Sequence, residues 1–264
     1  MPAGRLGRLP RDHSRFALTL EDYFRTHPVS KAAGLEPVAD GDDVDRATRV
    51  TEWPVYLNDS IGDCTVAGIA HAVTAMSVFA GKGQPLFSDS EIIKAYSAVS
   101  GYDPATGAND NGAQMQDVLA YMRSTGLTDE SGKTHKVAAY AALRNPSDSL
   151  LLSECLKTFG ACYAGIDCPQ SALDQFGQGP WTYEPGSPIA GGHAISLHRR
   201  QPYGSRVGVF EWSTWGALQP ATIGFQAHYV TEAWVFLTPD WLEVNGDSCD
   251  GLSLAQLQSD MALV

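Results

Sequence analysis

Residues 53–76 read WPVYLNDSIGDCTVAGIAHAVTAM, and one boundary inside them organises the chain. Up to Asp63 the segment carries Pro, Asn, Asp and Gly, which punctuate loops. From Cys64 onward the pattern changes. Val66, Ile69, Ala70 and Val73 fall at i, i+3, i+4 and i+7, which predicts a helix over about 64–80. Cys64 therefore opens the helix. A thiol there feels the positive end of the macrodipole and backbone N–H groups without intrahelical acceptors. Both favour the thiolate, the nucleophilic form. The plain alternative is a small apolar side chain that begins a buried helix.

On the N-terminal side, residues 1–50 read as an irregular extension rich in charge, Gly and Pro. ALTLEDYF (17–24) suggests a short helix, and LEPVADGDDVDRATRV (35–50) an acidic connector. The first fifteen residues hold four arginines against one acid, Asp12, whereas the whole chain carries a net charge of −12. The arm reads as a mobile terminus, with docking or a propeptide-like role as the alternative. The acidic body excludes a general nucleic-acid binder. No apolar run approaches the roughly 18 residues needed to cross a bilayer, and MPAGRLGRLPRDHSRF lacks the apolar segment of a secretory signal. The chain of 264 residues, 44% hydrophobic, is long enough to bury a core.

On the C-terminal side, Ser88 and Glu91 form an S-x-x-E capping box ahead of Ile92, Ile93 and Tyr96. GYDPATGANDNG (101–112) reads as a loop. Met115, Val118, Leu119 and Met122 mark a third helix that Gly126 stops, and Pro146 and Ser147 open a fourth. Four strands are expected at 161–166, 193–200, 206–212 and 232–238, with QPYG (201–204) as a hairpin turn between the second and third. Helices first and antiparallel strands after them predict an α+β protein with two lobes. SLAQLQSDMALV (253–264) suggests a closing helix.

The five cysteines, Cys64, Cys155, Cys162, Cys168 and Cys249, show no CxxC spacing. Neither a zinc site nor a disulfide framework is indicated, no cofactor is called for, and a reducing cytosol is the expected compartment. His193 stands in PIAGGHAISL at the mouth of a predicted strand, where Gly191 and Gly192 allow a backbone or substrate to come close. His71 reads as a core histidine, and His135 and His198 as exposed. A cysteine at a helix start and a histidine at a strand start can face each other across an interlobe cleft, which suits thiol–imidazole catalysis.

These segments resemble the papain-like cysteine peptidases. The 53–76 segment resembles that family's loop and nucleophile helix, and His193 falls about 130 residues beyond Cys64, within the family's range. LFSDSEIIKAY followed by NDNGAQMQDVLAYMRSTGL resembles its next two helices and the loop between them. VFEWSTWG followed by YVTEAWVFLT resembles its Asn-Ser-Trp-Gly turn and closing strand. The resemblance covers about residues 51–240, a helical lobe over 51–160 and a β lobe over 161–240. Residues 1–50 are left as an arm and 241–264 as a tail.

The resemblance implies roles residue by residue. Cys64 is the nucleophile and His193 the base. Asn58, six residues before the cysteine, stands where the family has the glutamine that holds the oxyanion. Ser213 stands where the family has the asparagine that orients the histidine, and Glu211, two residues earlier on the same strand, is an alternative orienter or a surface acid. Trp215 shields the histidine's partner or belongs to the core. Gly62, Gly192 and Trp215 are expected among the substrate-binding residues. Asn111, Gly112 and Ala113 line the non-primed side of the cleft, Ala113 replacing a second glycine. Thr65 replaces the aromatic after the cysteine, and Asp110 replaces a loop cysteine. The region before the catalytic segment is shorter than the family's usual propeptide, which suggests no zymogen or a narrow specificity.

The implied activity is acyl transfer through a Cys64 acyl-enzyme, foremost hydrolysis of a peptide or amide. A cytosolic acyltransferase or cyclase acting on an amide or thioester is the alternative, and a non-catalytic binding module is a third reading.

Overall fold

The computed structural model describes residues 3–26, 35, 37–39, 42–203 and 206–245. The helix that opens with the cysteine organises the interior. This helix, Cys64–Phe79, buries every residue from Cys64 to Ser77. Its expected apolar stripe is therefore only part of the buried surface. Antiparallel strands pack on one side, and the helices Asp89–Ser100 and Met115–Ser124 on the other. A helix covered all round carries small and apolar residues all round, as CTVAGIAHAVTAMSVF does.

In chain order the helices are α1 (Leu20–Thr26), α2 (Cys64–Phe79), α3 (Asp89–Ser100), α4 (Met115–Ser124), α5 (Ser149–Phe159), α6 (Gln170–Gln175), α7 (Ile223–Tyr229) and α8 (Pro239–Asn245). Ser88 caps α3, its side chain accepting from the Glu91 N–H at 3.3 Å, and Gly101 ends it in the left-handed region. Helix α5 differs from its expected start. Asp148, not Ser147, is the cap and accepts from the N–H groups of Leu150 and Leu151.

The strands are β1 (Val44–Asp45), β2 (Leu127–Thr128), β3 (Thr134–His135), β4 (Ala139–Ala142), β5 (Cys162–Pro169), β6 (Ile189–Tyr203), β7 (Arg206–Thr214), β8 (Ala217–Thr222) and β9 (Val230–Leu237). Strands β2 and β3 form a small ribbon. The others make one antiparallel sheet in the order β4-β9-β5-β6-β7-β8, with β1 paired to β6 at Val44–Arg200. This is an α+β architecture, helices first and antiparallel sheet after. Residues 139–142 and 44–45 join the sheet although they precede its main strands.

Gln201, Pro202 and Tyr203 do not turn as expected. They continue β6, and Tyr203 pairs with Arg206. The expected helix at 253–264 lies outside the described residues. His135 and His198 are buried, against expectation. His135 lies 2.8 Å from Asp129, and His198 Nε2 lies 2.8 Å from Ser213 Oγ. His71 is a core histidine as expected, with Nε2 2.7 Å from the Pro54 carbonyl.

Trp181, Trp212, Trp234 and Trp241 are fully buried. Such rings bury about 150–250 Å² each, a large apolar gain for an interior of this size. Among the described residues no helix is long and apolar enough to cross a membrane.

Candidate active site

The first turn of α2, the start of the central part of β6 and the end of β7 meet at one point. Cys64 Sγ is buried there and accepts the N–H of Ala194, the residue after His193 in β6, at 3.4 Å. His193 is also buried. Its Nε2 lies 2.6 Å from Thr214 Oγ1, and its Nδ1 has no hydrogen-bond partner. The imidazole thus has one nitrogen held and the other open.

The hydroxyl that bonds His193 differs from the sequence expectation. Ser213 bonds His198, and Thr214 bonds His193. Consecutive residues of a strand point to opposite faces, so a shift of one position exchanges the partner. Glu211 does not serve either. It is half-buried, and its carboxylate faces Arg199 at 3.8 Å. Desolvation raises its pKa, and the Arg199 charge acts against that.

Trp215 and Gly216 connect β7 to β8, with Thr214 paired to Ala217. Both have positive φ, 44° and 75°, the requirement of a two-residue type I′ hairpin turn. The turn lays the Trp215 ring over His193 at 4.3 Å, tilted by 21°. Phe176 and Trp181 pack edge-on against the same ring.

Asn58 follows two residues in the left-handed region, Tyr56 (φ 56°) and Leu57 (φ 65°). Non-glycine residues adopt such angles at a cost of order 1–3 kcal/mol each. The loop so formed presents the Asn58 Nδ2 donor beside the cysteine helix. Gly62 N–H donates to Asp110 Oδ1 at 2.9 Å, Tyr96 Oη donates to the same oxygen at 2.7 Å, and Gly112 N–H donates to Tyr96 Oη at 3.0 Å. Asp110, at the position where the resemblance puts a cysteine, thus joins the Cys64 loop to the Gly112 loop by hydrogen bonds.

The cleft is filled by the chain itself. Arg5 N–H donates to the Asn58 carbonyl at 2.6 Å. Asn58 Nδ2 and Trp215 Nε1 donate to the Arg5 carbonyl at 3.3 and 3.2 Å. The N–H groups of Gly7 and Arg8 donate to the Gly192 carbonyl at 3.1 and 2.9 Å. Ala113 N–H donates to the Gly7 carbonyl, and Leu9 N–H to the Ala113 carbonyl, both at 2.9 Å. Residues 5–9 therefore lie as an extended segment between Asn58 and Ala113 on one side and Gly192 of β6 on the other. Glycine is required on both sides of it. A Cβ at Gly7 would overlap the Gly62 carbonyl, and one at Gly192 would overlap the Arg8 carbonyl.

The Arg-rich arm is docked, the alternative to the mobile terminus in the sequence reading. Arg5 faces Asp110 at 3.4 Å, Arg15 faces Asp117 at 2.7 Å, and Arg11 lies over the Trp234 ring at 4.9 Å. Arg8 is buried among Asp167, Thr231 and Glu232. The short length of the arm does not keep it out of the cleft, because a few extended residues span it.

Burial sets the ionisation of the pair. With the arm seated, desolvation pushes the Cys64 thiol up to about 12, against the N–H groups of Ala194 and Gly7. Desolvation, aided by the Arg8 charge, pushes His193 down to about 3. Both groups are neutral at pH 7 in this arrangement. Asp63, beside the cysteine, is pushed up to about 8 by burial, with the Asn58 amide opposing.

The structure therefore brings together Cys64, His193, Asn58, Gly62, Gly112, Ala113, Gly192 and Trp215. Asn111 is exposed, and no side-chain contact ties it to the group. Thr214, Asp167, Glu232 and Arg8 were not singled out from sequence. The Thr next to Ser213 in the STWG run was the available signal for the first of them. Among the described residues no cluster of three or more His, Cys, Asp and Glu is placed to hold a metal ion.

No protein-family model matches this chain, and no curated protein matches it. Solved structures do. Xylellain, a cysteine protease from Xylella fastidiosa, superposes with a TM-score of 0.60 at 15% identity, over 89% of this chain and 96% of that one. A digestive procathepsin L 3 of Tenebrio molitor larval midgut gives 0.57 at 14% identity, over 89% and 75%. A procathepsin B from Trypanosoma congolense gives 0.53 at 11% identity, over 79% and 84%. At these identities the likeness is one of fold: the chain has the papain-like fold.

Proposed function

We propose that this protein is a cysteine peptidase or amidase that works through a Cys64 acyl-enzyme. The observation that carries the reading is the buried Cys64 thiol at a helix N-terminus, accepting the N–H of the residue after His193, whose imidazole is held by Thr214 on one nitrogen and open on the other. This supports Cys64 as nucleophile, His193 as base and Thr214 as orienter.

The open Nδ1 of His193 takes the thiol proton as Sγ attacks the carbonyl carbon. The carbonyl oxygen becomes an oxyanion, held by Asn58 Nδ2–H and the backbone N–H of Cys64. The Arg5 carbonyl already accepts from Asn58 Nδ2, which supports an acceptor at this position. As the tetrahedral species collapses, the C–N bond breaks and His193 gives its proton to the departing amine. Water then attacks the thioester, His193 removes its proton, and the carboxylic acid leaves as the thiol is restored. Trp215 covers the imidazole and keeps bulk water from its bond to Thr214.

A substrate takes the place of residues 5–9, so the arm has to leave. The test uses the native chain and a Gly7→Val chain whose arm no longer fits under the Gly62 carbonyl. Both are treated with an epoxide that alkylates papain-type thiols, and the adduct is mapped. The expected result is an adduct on Cys64, faster in Gly7→Val and lost in His193→Ala, with peptide hydrolysis in parallel. Equal labelling of Cys64 and the buried Cys155 would leave only a binding module on this fold.

A further inference from the structure

The arm's most buried contact makes no use of the catalytic pair. Arg8 is 3% exposed in its side chain, and its guanidinium fork is divided between two carboxylates. Nη1 donates to Glu232 Oε2 at 3.1 Å. Nη2 donates to Asp167 Oδ1 at 2.6 Å, to Thr231 Oγ1 at 3.3 Å and to the Ile166 carbonyl at 3.3 Å. Glu232 is 2% exposed in its side chain, and its second oxygen is held by Trp234 Nε1 at 2.8 Å. Thr231 Oγ1 also donates to Asp167 Oδ1 at 3.3 Å.

The pocket is cut from the sheet itself. Gly165 pairs with Glu232 across β5 and β9, and the register slips there between Gly165 and Ile166. A Cβ at Gly165 would collide with Arg8 Cδ, so the absent side chain makes the channel for the aliphatic stem. Met115 borders the same space. The pocket opens onto the cleft beside Gly192 and Ala113, which hold the Arg8 backbone on either side.

Resting on the peptidase reading above, we propose that this pocket selects the substrate: it takes an arginine side chain of a peptide, on the non-primed side of the bond to be cut, at the place Arg8 now fills. A carboxylate as buried as Glu232 is strongly disfavoured when left without a counter-charge. An apolar side chain in the pocket leaves it so, and an acidic one adds repulsion. The acceptors are divided between two nitrogens, Glu232 at Nη1 and Asp167, Thr231 and the Ile166 carbonyl at Nη2, which a guanidinium supplies and a single ammonium does not. Arginine is therefore favoured over lysine, and both over leucine. The arm is a pseudosubstrate in this respect, since it fills the pocket with the group the pocket selects. The acidic body, which holds all of the chain's negative excess, favours the approach of cationic peptides.

The test separates binding from turnover. In the full chain carrying Arg8→Ala, the unfolding midpoint is followed with N-acetyl-arginine amide and with N-acetyl-leucine amide at equal ionic strength. The arginine compound raises the midpoint; the leucine compound does not, and Glu232→Gln added to Arg8→Ala abolishes the shift. The Gly7→Val chain, in which Arg8 is retained but displaced, serves as the second host should Arg8→Ala fold poorly. Peptides with Arg, Lys, Leu or Glu at each of three positions before the scissile bond then read selectivity. At one position Arg is cut at least tenfold faster than Leu, and Glu232→Gln removes most of that ratio. Equal shifts by the two amides, or equal cutting at all three positions, overturns the proposal. A chain that binds the arginine amide but shows no Cys64 adduct and cuts nothing keeps the pocket and loses the peptidase reading.

Discussion

Thr214 Oγ1 lies 2.6 Å from His193 Nε2, while its neighbour Ser213 bonds His198. Two adjacent hydroxyls thus serve two buried histidines, and only His193 adjoins Ala194, whose N–H the Cys64 thiol accepts.

Thr214→Val keeps the shape and removes the oxygen. The net worth of such a hydrogen bond is about 1 kcal/mol, so the rate of Cys64 alkylation in the arm-displaced chain falls roughly five- to tenfold. Thr214→Ser restores it. Ser213→Ala leaves the rate unchanged and lowers unfolding stability by about 1 kcal/mol, since His198 loses its partner. A rate loss in Ser213→Ala equal to that in Thr214→Val would return the orienting role to Ser213.

Asp110 ties the two loops that bracket the arm. Asp110→Ala leaves the Gly62 N–H and the Tyr96 hydroxyl without their acceptor. Unsatisfied buried groups cost about 1–3 kcal/mol each, so the urea midpoint falls clearly, and Asp110→Asn recovers part of the loss. Unchanged midpoints in Asp110→Ala would mean that water replaces the carboxylate at no cost.

Local signals explain what was legible in the sequence. Helix α2 announces itself through spacing over one short window, and the Ser88 cap through two residues three apart. Both were readable because every partner is close in sequence. The orienter was not, because Ser213 and Thr214 differ by one position, and strand alternation converts one position into the other face. The type I′ turn at Trp215-Gly216 fixes that face, and it is visible only once the positive φ angles are known. His135 was misread for another reason. It packs edge-on against Phe87 and lies 3.5 Å from Asp240, partners far from it in sequence. The arm is the extreme case. The carboxylates that hold Arg8 lie 159 and 224 residues beyond it, and no local pattern encodes such a pairing.

The Asp129–His135 contact gives a stability prediction. Burial alone would raise the Asp129 pKa, but Ser131, His135 and the Lys133 N–H together lower it to about 2. A carboxylate depressed on folding stabilises the protein above its unfolded pKa, near 4, and the contribution is lost as pH falls through 2. The shift corresponds to about 2 kcal/mol at neutral pH. Native and Asp129→Asn proteins unfolded in urea therefore differ by about that much at pH 7, and the gap narrows steadily below pH 4. A gap independent of pH would assign the effect to packing.

The arm itself controls the chemistry through burial. With residues 5–9 seated, desolvation holds the thiol near 12 and the imidazole near 3, so thiolate and imidazolium are both disfavoured at neutral pH. Displacing the arm returns water to the pair, which lowers the thiol pKa and raises that of the imidazole. Iodoacetamide alkylation of Cys64 in the native chain is therefore slow at pH 7 and climbs continuously toward high pH. In Gly7→Val the reactive form appears at far lower pH, and the rate at pH 7 rises at least tenfold. His193→Ala in the Gly7→Val background moves the profile back toward high pH, because the thiolate loses its imidazolium partner. Superimposable pH profiles for the native and Gly7→Val chains would show that the arm does not govern the thiol.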